Sequence, residues 1–216
     1  MAILGFSSSP IIGGNVDRMV QAILEKSGKS IEFFNLTEFS FGPCRACVHL
    51  CAGDNLCKLD DDLKHLYPKI TASEAIVLGT PIYHSSMNGF MTVFLERLWG
   101  FRHQRFPLEG KPYAVVASGA GIGTPETAIE AVKFRMSAYR ADFIGSAWFN
   151  SRIFPCLKCG YGLTCKVGRL YEFYGEEGQK KLKITKQLFG QWEASSEVIS
   201  KLDSLARQIR SYLHEA

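Results

Sequence analysis

The chain has 216 residues, enough for one domain with a sizeable core, which we expect to span residues 1–216. Its 46% hydrophobic and 21% charged content is typical of a globular protein, and a net charge of +4 gives no support to nucleic-acid binding. The sequence has no apolar run of the roughly 18 residues that a membrane helix needs. The N-terminus lacks the features of a secretory signal, so we expect a cytoplasmic protein.

The first stretch, Ala2 to Asn15, predicts a strand, a turn of small residues and the start of a helix. A short apolar run suits a buried strand, serines and glycines follow, and apolar residues at helical spacing continue from Val16. This arrangement directs backbone N–H groups and the positive end of a helix dipole at an anion. Asn15 can cap the helix or hold the loop. The stretch alone is equally consistent with a phosphate site and with an ordinary capped loop, and it contains no dinucleotide or nucleoside-triphosphate motif.

Four further strands alternate with helices along the chain. We predict the four strands at Ser30–Leu36, Glu74–Gly79, Lys111–Ala117 and Asp142–Asn150. Helices are predicted at Leu63–Ile70, at Asn88–Trp99 and after Thr124, and one or two C-terminal helices at Lys180–Phe189 and Glu193–His214. Such alternation predicts an α/β domain with a doubly wound parallel sheet, and five strands favour the flavodoxin-like order 2-1-3-4-5. Residues 41–62 form a cysteine-rich loop in this domain, and residues 151–216 a cysteine-containing and helical C-terminal extension.

Three of the predicted loops would meet at one edge of this sheet. They are Ser7–Asn15, Thr80–Tyr83 and Ser118–Gly123, each at the carboxyl end of a strand. In sheets of this type the ligand binds at the carboxyl ends of the strands. One loop suits a phosphate, and the other two offer backbone and an aromatic ring to a flat group. The convergence therefore favours a ligand with a phosphate over an ordinary capped loop.

All seven cysteines lie in two short blocks. They are Cys44, Cys47, Cys51 and Cys57, and then Cys156, Cys159 and Cys165. In a reducing compartment, clustered cysteines indicate metal ligands before disulfides. The first three share one helical face by their spacing, and a bend at Gly53 can return the fourth. Four such thiolates suit a [4Fe–4S] cluster or zinc, and unmetallated thiols are the remaining alternative.

The second cysteine block lacks a fourth ligand. His49, a non-protein group or a neighbouring subunit could supply one. Alternatively, two pairs from the two blocks could build one zinc site, or the second block could consist of structural thiols. The pairs in question are Cys44 with Cys47 and Cys156 with Cys159.

Several motifs together resemble the NADPH-dependent FMN reductase superfamily, and within it the iron–sulfur flavoproteins. These motifs are GFSSSPIIGGNVDRM, CRACVHLC, GTPIYHSSMNGFMTVFLERLW and SGAGIGTPETA. The resemblance covers about residues 1–150 and implies a flavodoxin-like fold, bound FMN, a four-cysteine cluster motif, and dimers or tetramers. It places the following residues around FMN: Ser7, Ser9, Asn15 and Val16 at the phosphate, and Thr80, Pro81, Ile82, Tyr83, Ser118, Gly119 and Gly121 at the isoalloxazine. The chain departs from the family in having Ile11 where Arg is frequent, Val16 where Thr is frequent, and one residue more than usual between Cys47 and Cys51.

We therefore expect an FMN-dependent oxidoreductase in which an iron–sulfur cluster relays electrons. Its redox partner would be NAD(P)H or a ferredoxin, and its assembly a homodimer or homotetramer. The alternatives are an NAD(P)H-dependent FMN or quinone reductase with structural zinc, and a non-enzymatic redox sensor or electron carrier. The segment Met87–Phe106 is rich in aromatic residues and Arg, which favours a subunit interface. Flavin carries the redox chemistry, so we name no catalytic acid or base.

Overall fold

The computed structural model of the chain describes residues 2–28, 30–119, 124–151, 155–185 and 188–215. None of the helices in these ranges combines the length and the apolar character needed to cross a bilayer. In chain order the strands and α-helices are β1 (Ile3–Ser7), α1 (Asn15–Lys26), β2 (Ile31–Asn35), α2 (Val48–Cys51), α3 (Tyr67–Ala72), β3 (Ala75–Tyr83), β4 (Ser86–Met87), α4 (Gly89–Arg97), β5 (Pro112–Gly119), α5 (Pro125–Ser137), β6 (Asp142–Asn150), α6 (Arg169–Lys181) and α7 (Ser196–Glu215).

Five parallel strands form the sheet in the order β2-β1-β3-β5-β6, and the short β4 pairs antiparallel with β3. Counting the parallel strands alone, this is the predicted order 2-1-3-4-5, which is therefore confirmed. The direction of winding reverses between β1 and β3. The carboxyl ends of these two strands consequently flank the crevice in which sheets of this type bind ligands.

The sheet is buried on both faces because alternate residues of its strands enter two different cores. Leu4 and Phe6 of β1 pack with the helices α3, α4 and α5, and the Phe6 ring lies 4.9 Å from that of Phe94. Ile3 belongs to the opposite core with Ile23 of α1 and with the apolar face of α7. Burial on both faces explains why the strands are almost continuously apolar in sequence.

Two strand glycines let α1 approach the sheet closely. A Cβ at Gly79 would lie 2.5 Å from Val20 and 2.8 Å from Val16, and one at Gly5 would lie 2.6 Å from both Val20 and Leu24. Any larger residue would force α1 away from β1 and β3. The N-terminus of α1 is therefore held beside the ends of these strands.

The C-terminal extension differs from the prediction at α6. The structure has this helix at Arg169–Lys181, whereas we expected one at Lys180–Phe189, and the described part of residues 182–189 contains only a short turn. The helical pattern of α6 is interrupted at Gly175, where φ is +65°. Buried Gln179 donates to the carbonyls of Gly162 and Cys165. These polar contacts, rather than a regularly spaced apolar face, fix the position of the helix. The last predicted helix is confirmed as α7.

The short helix expected at Leu63–Ile70 is divided in the structure. A 3₁₀ turn covers Asp62–His65, and α3 follows. Asp61 caps the turn by accepting a hydrogen bond from the Leu63 nitrogen at 3.2 Å. The acidic residues before Leu63 thus start a helical segment, as predicted.

Candidate functional site

A cavity of about 620 Å³ opens at the carboxyl ends of β1, β3 and β5. Its volume suits a small molecule or a cofactor. Eight of the eleven residues predicted around FMN line it: Ser9, Asn15, Val16, Pro81, Ile82, Tyr83, Ser118 and Gly119. Ser7 and Thr80 are fully buried behind it, and Gly121 lies outside the described residues.

Buried Asp17 organises the loop that follows β1. Its carboxylate accepts hydrogen bonds from the Ser7 hydroxyl, from the Gly13 nitrogen at 2.8 Å and from Asn35 Nδ2 at 3.2 Å. Asn35 Nδ2 also donates to the Ser9 carbonyl at 2.9 Å. Ser7 is thus engaged with Asp17 behind the cavity, and its contact with the phosphate stays a prediction. The sequence analysis missed Asp17, although its place in the first turn of an apolar-periodic helix was visible.

The N-terminus of α1 lies at the cavity. Gly14 is the N-cap residue and makes no side-chain capping bond, so the predicted cap at Asn15 is wrong. Asn15 Nδ2 instead donates to the Gly190 carbonyl at 3.0 Å, and its Oδ1 accepts from Arg18 Nη2 at 2.9 Å. The backbone nitrogen of Arg18 donates to the Gly14 carbonyl in the first turn of the helix. The N–H groups that precede Arg18 in this turn have no carbonyl acceptor within the helix. Such a turn is suited to an anion.

Asn88 fixes the end of β3 against the first loop. Its backbone nitrogen donates to Thr80 Oγ1 at 3.2 Å, and Thr80 in turn donates to the Pro81 carbonyl at 3.0 Å. Asn88 Nδ2 donates to the Ser8 carbonyl at 2.6 Å, and its Oδ1 caps α4 at the Met91 nitrogen. The buried Thr80 hydroxyl thus helps to position the end of β3, and its place beside the ring stays a prediction. An Asn directly before a helix was the available signal for Asn88.

The chain reverses immediately after Tyr83 in a two-residue turn. His84 and Ser85 both have positive φ, +49° and +59°, and neither is a glycine. This is the conformation of a type I′ hairpin turn, which usually contains Asn or Gly. The strained turn presents Tyr83, 48% exposed, at the rim of the cavity.

The remaining wall of the cavity comes from the first loop and the C-terminal extension, in residues that the sequence analysis did not predict. They are Ile11, Gly13, Gly14, Arg18, Ser151, Lys158, Cys159, Phe189, Gly190 and Gln191. Lys158 brings positive charge to the site, whereas the Arg18 guanidinium is paired with Glu193 at 2.6 Å. No sequence signal placed Ser151, Lys158 or Phe189 at this cavity, because they reach it only through the folded chain.

The four cysteines of the first block surround a second, much smaller cavity. They share its lining with Arg97, Trp99 and Gly100, and the enclosed volume is about 10 Å³. Cys47 is the N-cap of α2 and Cys51 is its last residue. The structure therefore brings all four predicted ligands to one place. A group held by all four sulfurs would displace this surface loop outward.

The environment of Cys51 favours the neutral form of its thiol. Burial raises the pKa of Cys51, and the nearby Cys57, Cys47 and Cys44 sulfurs raise it further. Cys51 Sγ also lies 3.2 Å from His103 Nε2. Across the described residues, no three His, Cys, Asp or Glu side chains are gathered as ligands of a single ion would be. Metal binding would consequently release protons and draw the thiolates together.

The second cysteine block is split between two environments. Cys156 and Cys165 both point at Gly168, where a Cβ would lie 3.1 and 3.2 Å from their sulfurs. Cys159 is exposed at the larger cavity. In the part of the chain that the structure describes, this block and the first do not meet in the mixed zinc site considered above.

The family profile described as NADPH-dependent FMN reductase matches residues 1–154. The chain belongs to this family. It is an FMN-dependent oxidoreductase, as the sequence predicted. An iron–sulfur flavoprotein of Methanosarcina thermophila is 27% identical over 136 residues, which cover 61% of this chain and 71% of the relative. One of Archaeoglobus fulgidus is 30% identical over 129 residues, which cover 58% of each chain.

Solved structures confirm the flavodoxin-like fold. RosB, with 8-demethyl-8-formylriboflavin-5′-phosphate bound, has a TM-score of 0.60 at 15% identity and covers 97% of this chain and 80% of its own. The NADH:FMN oxidoreductase EmoB gives 0.57 at 14% identity, with coverage of 97% and 88%. An archaeal flavodoxin gives 0.51 at 12% identity, with coverage of 99% and 98%. At these identities the likeness concerns the fold alone.

Proposed function

We propose that this oxidoreductase is an iron–sulfur flavoprotein. FMN would occupy the strand-end cavity, and Cys44, Cys47, Cys51 and Cys57 would hold a [4Fe–4S] cluster. The observation that carries the proposal is the meeting of four thiols at one cavity in a loop that follows β2. That loop leaves the same carboxyl edge of the sheet as the FMN cavity. Four thiolates are the usual ligand set of such a cluster, and the names of the archaeal relatives support it.

The FMN phosphate would bind at the turn formed by Ser9 and the first residues of α1. The isoalloxazine would lie against Pro81–Tyr83 and Ser118–Gly119. When bound, FMN supplies one- and two-electron chemistry, and the protein contributes position and electrostatics. Lys158 of the C-terminal extension would add a cation to the lining of the same cavity.

The redox partner would be NAD(P)H or a ferredoxin-like protein. Each of the seven cysteines is a free thiol, which suits a reducing compartment such as the cytoplasm. Steady-state oxidation of NAD(P)H with a quinone acceptor would identify a reductase. A carrier or sensor would show no turnover without its protein partner.

The decisive experiment is anaerobic purification followed by quantification of iron, zinc and FMN and by an absorption spectrum. We expect iron and FMN together. Cys47→Ser should lose the iron and its broad absorbance while retaining FMN. Cys165→Ser is the matched control, because it removes a thiol of the second block and should retain both.

Two outcomes would contradict the proposal. Stoichiometric zinc without iron would leave a plain NAD(P)H-dependent FMN or quinone reductase with structural zinc. Iron that is lost from Cys165→Ser but retained by Cys47→Ser would place the cluster at the second block. In that case the extra residue between Cys47 and Cys51 would have changed the ligand set.

We further propose a homodimer or homotetramer. Of the aromatic residues in Met87–Phe106, Phe94 and Phe101 lie in the core and cannot form an interface. Phe90 and Trp99 are each 41% exposed and remain available. Sedimentation velocity at micromolar concentration with FMN bound should show a dimer or a larger species. A monomer under those conditions would rule the assembly out.

A further inference from the structure

Arg97, the last residue of α4, is a buried cation beside the cysteine cavity. Its side chain has no exposure and lines that cavity together with Cys57. Nη1 and Nη2 donate to the Asp61 carboxylate, and Nη1 also donates to the Gly42 carbonyl at 2.8 Å. These bonds fix the plane of the guanidinium. The buried Nε–H is left without a partner among the described residues.

Tyr67, at the start of α3, carries a second donor of the same kind. Its ring packs edge-to-face against Phe101 with centroids 5.8 Å apart, and the residue is 1% exposed. Within the described chain its hydroxyl has no hydrogen-bond partner either. A buried donor left unpaired is destabilising. Arg97 Nε at the cysteine cavity and the Tyr67 hydroxyl in the adjoining core therefore both call for an acceptor.

The Cys57 sulfur is the candidate acceptor, because Cys57 lines the same cavity as Arg97 and packs against the core cluster that contains Tyr67. Burial raises the pKa of Tyr67 above its usual range, Arg97 opposes this, and the Cys57 sulfur raises it further. Burial lowers the pKa of Arg97, whereas Asp61 and then Cys57 raise it. Packing fixes the position of Cys57, because a Cβ on Gly100 would lie 3.3 Å from its backbone nitrogen. As a thiol, however, Cys57 completes a hydrogen bond with neither donor.

We propose that Tyr67 and Arg97 donate hydrogen bonds, from Oη and Nε, to the Cys57 sulfur as a cluster ligand, and that they raise the cluster's reduction potential. The inference rests on the proposed function. A metal-bound thiolate carries more negative charge than a thiol and accepts stronger hydrogen bonds. Such bonds stabilise the reduced, more negative state of the cluster. Asp61 is a positioning residue that aims the guanidinium.

The test is a redox titration of the anaerobic holoprotein followed by electron paramagnetic resonance. Tyr67→Phe should shift the cluster potential to a more negative value while iron content and the FMN potential stay at the wild-type values. Arg97→Lys keeps the charge but removes Nε, and should shift the potential in the same direction. Tyr113→Phe is the matched control, because Tyr113 is 2% exposed in the same core and no cysteine contributes to its pKa. It should shift nothing.

A second measurement separates hydrogen bonding from packing. Pulsed resonance of the reduced cluster in H₂O and D₂O should detect an exchangeable proton that Tyr67→Phe loses and Tyr113→Phe keeps. A cluster potential in Tyr67→Phe equal to that of the wild type would overturn the inference. Loss of iron from Tyr67→Phe alone would also overturn it, since Tyr67 would then serve assembly. Wild-type protein without iron would instead overturn the proposed function.

Discussion

Replacing Asp17 by Asn should weaken FMN binding, although it removes a negative charge near the phosphate site. The carboxylate accepts from three donors that surround the first loop: Ser7 Oγ at the end of β1, the Gly13 nitrogen and Asn35 Nδ2 at the end of β2. The Asn amide keeps only one acceptor oxygen, and its NH₂ group would face the remaining donors. The loop would therefore lose the order that keeps the N-terminal turn of α1 open to an anion.

The two opposing effects can be compared. A hydrogen bond to a charged group contributes about 1.5–3 kcal/mol, so losing part of this network should cost about 2–4 kcal/mol of loop order. Relief of repulsion between two charges in a solvated site is worth about 1 kcal/mol. The net loss is about 1–3 kcal/mol, or roughly 5- to 150-fold in the dissociation constant. Preorganisation is therefore expected to outweigh charge.

The assay is a fluorescence titration of FMN into the apoprotein, with the thermal melting of the apoprotein recorded in parallel. Asp203→Asn is the control, because it removes the same charge from a half-exposed pair with Lys26. It should leave the dissociation constant at the wild-type value. If Asp17→Asn bound FMN as tightly as the wild type or more tightly, the organising role of the carboxylate would be refuted.

Two further predictions concern a link to the C-terminal extension and a buried amine. Asn15→Ala should weaken FMN about 5-fold in the same titration, since it detaches the Gly190 carbonyl from the cavity; an unchanged dissociation constant would contradict this. Burial lowers the pKa of Lys111 to about 8 from 10.5. As pH rises, the folded chain therefore loses this proton before the unfolded chain does. The cost of burying the charged amine is present in full below pH 8 and is relieved as pH rises from 8 to 10.5. Urea unfolding should show that the wild type gains stability relative to Lys111→Met across this pH range. The gain should be at most roughly 3 kcal/mol, because the carbonyls of Ile70 and Thr71 accept hydrogen bonds from the amine and favour its charged form. Stability profiles that stay parallel over this pH range would count against the prediction.

The sheet was predictable because its strands carry their own signal. The run at Asp142–Asn150 has the same limits in the sequence analysis and in β6. Helix α6 was not predictable, because Gly175 interrupts its pattern and a single buried amide at Gln179 fixes its position. Periodicity reports the packing of whole faces, and it does not report a helix that is held by a few polar contacts.

The cavity was predictable at the strand ends and less so elsewhere. Residues such as Ser9 and Ser118 follow directly from parallel topology, which gathers the carboxyl ends of strands. Ser7 and Thr80 lie within strands, where the side chains are buried, so they support the site from behind. Lys158 reaches the cavity from a segment that no local pattern connects to it.

The surroundings of the cysteine loop could be predicted only in part, because they include Arg97, a charged residue at the end of the apolar helix α4. Spacing alone identified four thiols, but the donors beside them belong to α3 and α4. Arg97 ends the apolar stretch of α4 and was assigned to a subunit interface, yet it is fully buried against Asp61. Such a pair rarely adds stability over apolar packing. Its use here is orientation, because Asp61 both caps a turn and fixes the Arg97 guanidinium, whose Nε is buried without a partner among the described residues.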